Sequence, residues 1–227
     1  MYPNNRKTQP DVCLICGEPV LKTPSPFHLF SASCVCPACL DKFRRLDRHT
    51  TISGYPLTIL YAYDEFFKSL LYQYKGLYDF ALKDAFLPLD LPRLKDTYKH
   101  HIVVPAPSAS DANTERGFEH CRDIARTFSN HVFTGLCKTR PYKQALLTYE
   151  ERSHVKDVIA IKNGEFLRHQ KLLMFDDVIT SGSTMRACIS LCETYAPESI
   201  DVLVLSTKSF DHDEASEDVK KRPFGRY

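Results

Sequence analysis

Two adjacent carboxylates, Asp176 and Asp177, stand just ahead of a run of small hydroxyl residues, Thr180-Ser-Gly-Ser-Thr184. Carboxylates repel phosphate, so this pair suits sugar hydroxyls, or a Mg²⁺ that bridges them. The run behind it suits the opposite partner. Thr180, Ser181, Ser183 and Thr184 offer hydroxyls to a monophosphate, and Gly182 lets the backbone turn tightly. Diol acceptors beside a phosphate cradle describe a site for ribose 5-phosphate. The plainer reading is an acidic strand end followed by a helix cap, since Ser and Thr are ordinary caps.

The flanking segments supply the elements that would position these groups. Leu172-Leu-Met-Phe175 is an apolar run of buried-strand type, and the acidic pair is expected to lie exposed at its end. Beyond the loop, Met185, Cys188, Ile189 and Cys192 recur at i, i+3, i+4 and i+7, the face of an amphipathic helix. The order is strand, acidic pair, loop, helix. The first amides of that helix and its dipole favour an anion in the loop. In an open α/β sheet, ligands bind beyond the carboxyl ends of the strands, where this loop would sit.

Phe175-Asp-Asp-Val-Ile-Thr-Ser-Gly-Ser-Thr184 resembles the phosphoribosyl pyrophosphate (PRPP) loop of type I phosphoribosyltransferases, with Ser181 in place of the second Thr. The resemblance implies an α/β fold with a five-stranded, mostly parallel core and a smaller hood. It also implies Mg²⁺ bound together with PRPP. Purine-salvage relatives carry an Asp where this chain has Thr180, so oxopurine salvage is not expected.

Nine cysteines are many for a chain of 227 residues, and five fall between residues 13 and 39. Cys13-x₂-Cys16 and Cys36-x₂-Cys39 are separated by 19 residues, close to the usual zinc spacing. Two such knuckles complete a tetrahedral four-thiolate site for Zn²⁺. A segment this small has little core, so the metal would supply much of its folding energy, on the order of 10 kcal/mol. Cys34 competes for a ligand role or is a spare thiol. A disulfide scaffold fits poorly with a chain whose start, Met1 to Asp11, is polar and does not read as a signal peptide. A redox role for either pair is the third reading. The expected location is cytoplasmic.

With 43% hydrophobic residues and a net charge of +2, the chain has material for one good core plus a small appendage. No apolar run approaches the ~18 residues of a membrane span. The first 50 residues hold seven Lys/Arg against four Asp/Glu. Lys42, Arg44, Arg45 and Arg48, with Phe43 and Leu46 between them, read as a basic turn of helix. They would either hold nucleic-acid phosphates or form a solvated face.

The remaining chain alternates strand and helix. Leu57 to Tyr63 reads as a strand. Asp64 caps a helix with Phe67, Leu70, Leu71 and Tyr74 on one face, ended by Lys75-Gly76. Asp79 starts a second helix through Phe86, closed by Pro88 and Pro92. His101 to Pro107 is the next strand, followed by a polar loop, Arg116-Gly-Phe-Glu-His120, and a helix burying Phe118, Cys121, Ile124, Ala125 and Phe128. Residues 138–154 are rich in charge and form either a mobile flap or a plain surface hairpin and helix. Residues 211–227 carry five acids and four bases without apolar period, and are expected to fray. The expected organisation is a finger segment 1–50, a transferase-like domain 51–210 and a tail 211–227.

The four-Cys finger, Lys75-Gly76, Val104-Pro-Ala-Pro107 followed by Arg116-Gly-Phe118, the Lys143-Gln144…Glu151-Arg152 segment and the PRPP loop are together similar to the ComF family. In that comparison Arg116 meets an anion beside the pyrophosphate loop, and Lys75, Lys143 and Arg152 are further cations for pyrophosphate or flap contacts. The chain departs from the family at Glu119-His120 and at His154. The resemblance implies a role in natural transformation, with incoming single-stranded DNA and a helicase-like competence protein as partners. Three readings remain in play. One is a PRPP-binding transformation factor. The others are a metabolic phosphoribosyltransferase and a nucleic-acid-binding zinc protein on a vestigial transferase fold. PRPP binding separates the first two from the third.

Overall fold

The computed structural model describes residues 12–20, 34–108, 110–139 and 158–208. The expected flap beyond Thr139, with Lys143, Arg152 and His154, and the tail 211–227 lie outside the described residues. Elements follow the chain as α1 (Pro37–Leu40), β1 (Arg45–Ile52), β2 (Tyr55–Ala62), α2 (Glu65–Gly76) and α3 (Leu91–Thr97). Next come β3 (His101–Pro105), α4 (Ser110–Arg116), α5 (His120–Phe128), β4 (Leu136–Thr139) and β5 (Val158–Ile161). β6 (Lys171–Ile179), α6 (Ser183–Glu193) and β7 (Ser199–Thr207) complete the set.

Five strands form one sheet in the order β1-β2-β7-β6-β3. The β2–β7, β7–β6 and β6–β3 pairs are parallel, and only β1 runs antiparallel, at the edge. This is the mixed α/β, mostly parallel architecture that the sequence implies. β4 and β5 form a separate antiparallel pair. The central strands are buried on both faces, which is why β6 and β7 read as continuous apolar runs rather than alternating ones.

Alternation along β6 sorts the core into two layers. Leu173 and Phe175 face α2, α5 and the cysteine segment, together with Phe67, Tyr74 and Ile124. Leu172 and Met174 face α6 and the β4–β5 pair, together with Cys188, Ile189 and Ile159. Helices on opposite faces thus follow the neighbouring strands β3 and β6. Such a reversal opens a crevice at the carboxyl ends of those strands.

α2 begins where expected, with the Asp64 carboxylate accepting from the Phe67 amide at 2.9 Å. Four of its apolar side chains, Phe67, Leu70, Leu71 and Tyr74, are buried. The expected helix from Asp79 is only a 3₁₀ segment, Phe80–Ala85, and Pro92 opens α3 rather than closing what precedes it. A proline in the first turn loses no hydrogen bond, because that amide has no helical partner.

Two further expectations are corrected. The basic turn of helix is instead strand β1, with Lys42 and Arg44 just ahead of it and Arg45 and Arg48 on it. Thr50, Thr51 and Ile52 favour a pleated edge, and the antiparallel ladder to β2 outweighs the helical spacing of the cations. The acidic pair does not lie exposed beyond its strand. β6 continues to Ile179, with Asp176 opposite Val204 and Ile179 opposite Thr207, and Asp177 is 4% exposed. The β-branched Val178 and Ile179 carry the strand on.

Candidate functional site

β3 stops one residue before the carboxylates. Its ladder with β6 ends at Pro105 opposite Phe175, and Pro105 and Pro107 have no amide hydrogens to extend it. β7 runs on beside β6 to Thr207. The acidic pair is therefore anchored on one side and open on the other.

The two carboxylates have unlike surroundings. Asp177 turns to the α2 and α5 face, where the Lys75 ammonium pairs with its Oδ2 and His120 Nε2 lies 3.5 Å away. Burial alone would raise its pKa, but Lys75 and His120 outweigh burial and hold it down at about 2. Asp176 is half-buried and accepts from the Cys121 thiol at 3.4 Å. Burial, reinforced by the charge on Asp177, pushes it up to about 7. Two adjacent carboxylates with one ammonium, held by Asp177, cannot both ionise freely, so one is held charged and the other is poised near neutrality. His120 is buried too, which pushes its imidazole down to about 4.

The tight turn expected at Gly182 is present. Gly182 has φ +73°, a left-handed value that side chains avoid, and an added Cβ would come within 3.1 Å of Ile52 Cδ1. It is the N-cap of α6 and brings no side-chain cap. Ser181 and Ser183 hydroxyls lie 3.1 Å apart, with the Ser183 amide 3.4 Å from Ser181 Oγ. Asp176 and residues 178–185 enclose a 50 Å³ hollow over these amides and hydroxyls. An eleven-residue helix aims its positive end into that hollow.

Two other cavities lie near the pair. One of 580 Å³ runs along α2 and is lined by Tyr63, Lys68, Tyr72, Lys75, Asp177, Thr180 and Lys208. The Lys208 ammonium sits 4.8 Å from the Tyr63 ring centre. Another, of 110 Å³, lies beyond the end of β3 between Pro105, Asn113, Glu119, Cys121, Arg122 and Lys138. Arg116 is near but partly committed, donating to Asn113 Oδ1 at 3.0 Å, while its buried Nε has no partner among the described residues.

The structure thus brings together Asp176, Asp177, the Thr180–Thr184 loop and Lys75, and sets Arg116 to one side. Sequence reading missed His120, Cys121 and Lys208 as neighbours of this site. Lys208 was open to detection, since it directly follows the apolar strand next to β6. His120 and Cys121 carried no signal except that Glu119-His120 departs from the family pattern.

The cysteine segment forms a second centre. The sulfurs of Cys13, Cys16, Cys36 and Cys39 lie within 4.8 Å of one another, so the cluster could hold a metal ion. Cys16 and Cys36 sulfurs are 3.7 Å apart. A tetrahedral ion with metal–sulfur bonds near 2.3 Å sets its ligands about 3.8 Å apart, so the donor set fits. The Cys36 amide points at Cys13 Sγ at 3.3 Å, the kind of bond that favours a thiolate. Cys34 turns away to the Asp84 carbonyl at 3.2 Å, and burial pushes its thiol up to about 11. The cluster sits on the main core through Val35, Cys39 and Phe43, whose ring meets Tyr61 at 5.2 Å.

The basic residues on and before β1 are exposed but not equivalent. Arg45 is bound to Asp47 at 2.7 Å and to the buried Asp90 at 2.8 Å. Lys42 lies 5.9 Å from the Phe66 ring centre. Charged side chains on an edge strand also block pairing with another sheet. Among the described residues, no helix is long and apolar enough to cross a membrane.

No family model matches the chain. It is similar to the competence protein ComFC of Bacillus subtilis (strain 168), at 23% identity over 182 residues, covering 79% of this chain and 70% of that protein. Among solved structures, a hypoxanthine-guanine phosphoribosyltransferase (hpt-2) from Bacillus anthracis str. 'Ames Ancestor' aligns with a TM-score of 0.36 and 18% identity. That alignment covers 60% of this chain and 72% of the other. The allosteric regulatory enzyme of purine biosynthesis aligns at 0.34 and 15%, over 54% of this chain and only 26% of that one. The resemblance to the ComF family that the motifs carry is thus matched by a curated protein over most of the chain.

Proposed function

We propose that this chain is a PRPP-binding, phosphoribosyltransferase-like protein of natural transformation. The observation that carries the reading is the pairing of Asp176 and Asp177 with the Gly182 loop at the positive end of α6, beside the open end of β3. Phosphate fits the loop amides and the Thr180, Ser181, Ser183 and Thr184 hydroxyls. Ribose hydroxyls fit the Asp176 side. Pyrophosphate fits the direction of β3, with Arg116 and Lys75 as nearby cations, and Mg²⁺ would accompany it and offset its charge. Lys75 is bound to Asp177, so its use requires that ion pair to open.

Transfer from PRPP needs positioning and charge stabilisation more than covalent help. The acidic pair and the helix end offer both. The 580 Å³ cavity alongside, with Tyr63, Tyr72 and Lys208, leaves room for an acceptor. The finger segment, residues 1–50, carries a structural Zn²⁺ on its four thiolates and a basic edge for single-stranded DNA. Residues 51–210 form the PRPP-binding unit. The tail 211–227 follows it in sequence. The cytoplasm, alongside a helicase-like competence protein, is the setting this reading implies.

PRPP with Mg²⁺ should stabilise the chain against heat. At a hundredfold excess over Kd a ligand adds about 2.7 kcal/mol, several degrees in a domain of this size. Ribose 5-phosphate alone should act more weakly. No shift at millimolar PRPP would defeat the reading, and elemental analysis of the same sample should find zinc.

A further inference from the structure

His120, Cys121, Asp176 and Asp177 place one nitrogen, one sulfur and two carboxylate oxygens within 4.8 Å of one another. Two of the separations already match a tetrahedral ion. Cys121 Sγ is 3.4 Å from Asp176 Oδ1, and His120 Nε2 is 3.5 Å from Asp177 Oδ2. Ligands at zinc-type bond lengths lie roughly 3.3–3.6 Å apart. Three of the four side chains are at least nine-tenths buried: His120 at 8%, Cys121 at 2% and Asp177 at 4% exposure. Buried polar groups ordinarily find hydrogen-bond partners. Yet His120 Nδ1 has none among the described residues, and Nε2 makes only the loose approach to Asp177.

We propose that this quartet is a second metal site, selective for a borderline divalent ion of the zinc class and distinct from the four-thiolate cluster. Imidazole, thiolate and carboxylate together suit Zn²⁺ or Co²⁺ and are poor ligands for Mg²⁺, which prefers oxygen and water. The site forms from two adjacent residues at the start of α5 and two adjacent residues of β6, so the fold sets its geometry. In the metal-free state the Lys75 ammonium stands in for the cation at Asp177. Lys75 also lines the 580 Å³ cavity along α2, so it can withdraw there when a metal enters. Binding displaces the Cys121 thiol proton to solvent, and the resulting thiolate is held by the ion. The site shares Asp176 and Asp177 with the proposed ribose site but does not rest on that reading, because the metal is counted without PRPP.

The test is a metal count on the full chain. Parent, Cys121→Ser and His120→Gln proteins are equilibrated with free Co²⁺ at tens of micromolar, and bound metal is measured beside the cobalt–thiolate absorption. The parent should hold one equivalent more than either variant. Part of its thiolate absorption should vanish in Cys121→Ser while the cysteine-cluster signal stays. That retained signal also reports that the variants are folded. Asp176→Asn, at the half-buried corner, replaces any variant that fails to fold and should lose at least tenfold in affinity. Equal metal content in parent, Cys121→Ser and His120→Gln proteins, or an Asp176→Asn protein that binds the extra equivalent as tightly as the parent, overturns the proposal.

Discussion

Asp90 and Asp177 are both buried carboxylates, at 0% and 4% exposure, and they are partnered in opposite ways. Asp90 is saturated. It accepts from the Tyr61 hydroxyl at 2.6 Å, from Arg45 at 2.8 Å and from Arg93 at 2.6 Å, and both arginines continue to Asp47. Asp177 has its Oδ1 on the Val178 amide at 2.7 Å, while Oδ2 has one ammonium and a loosely placed imidazole, with a like charge next to it and a cavity on its flank. The first arrangement ties β1 and β2 to α3 and leaves nothing for a ligand. The second is incomplete as it stands. Burial alone does not mark a functional acid; unspent bonding capacity beside open space does.

The largest expected effect comes from breaking the saturated network. Asp90→Ala leaves Arg45 and Arg93 facing a buried gap and deprives Tyr61 of its acceptor. The arginines are 38% and 45% exposed and keep Asp47, but a buried Tyr61 hydroxyl left without its charged acceptor costs about 1–3 kcal/mol, so urea unfolding should show a loss toward the top of that range. Ligand binding by the folded fraction should be unchanged. A loss under about 1 kcal/mol would mean that Asp90 is not the anchor the geometry indicates.

Replacing Asp176 should act with the opposite sign. Asp176 titrates near 7 in the folded chain and near 4 when unfolded, so the folded state holds the proton more tightly. Its contribution is fully present below pH 4 and is lost as pH rises to about 7. Asp176→Asn carries no such proton, so it should gain stability over the parent across that window, by roughly 1–3 kcal/mol at pH 8. A difference that does not change with pH would show Asp176 to be an ordinary surface acid.

These two acids also show how far the sequence could be read. The loop from Thr180 to Thr184 was legible because a glycine, four hydroxyls and an apolar strand ahead of them form one contiguous pattern. The cysteine knuckles were legible for the same reason. The depth of Asp177 was not, because burial there depends on Lys75 and His120, about 100 and 57 residues away in sequence, closing over the end of β6. The basic run was misread as helix because its cations recur at helical spacing, whereas the β2 ladder, a tertiary contact, decides the state. Asp90 gave no signal, since its partners Arg45, Tyr61 and Arg93 are scattered along the chain. The quartet around Cys121 was hidden because its members come from two distant adjacent pairs.

A smaller effect separates the cations near β1. Each phosphate contact to single-stranded DNA contributes about 0.7 to the log–log salt slope. Arg44→Ala and Lys42→Ala should each flatten the slope by about that amount. Arg45→Ala should leave the slope unchanged and lower stability instead, because its guanidinium is held by Asp90 and Asp47. Titrations of a short oligonucleotide from low to moderate salt distinguish the cases. Equal flattening by all three would show that Arg45 exchanges its acids for phosphate.

The central claim is that Asp176, Asp177 and the Gly182 loop together hold PRPP, and calorimetry with Mg²⁺ tests it most directly. The parent should bind one PRPP per chain. Asp176→Asn combined with Asp177→Asn should weaken that binding at least a hundredfold while the protein still melts cooperatively. A double variant that binds PRPP as the parent does would contradict the account.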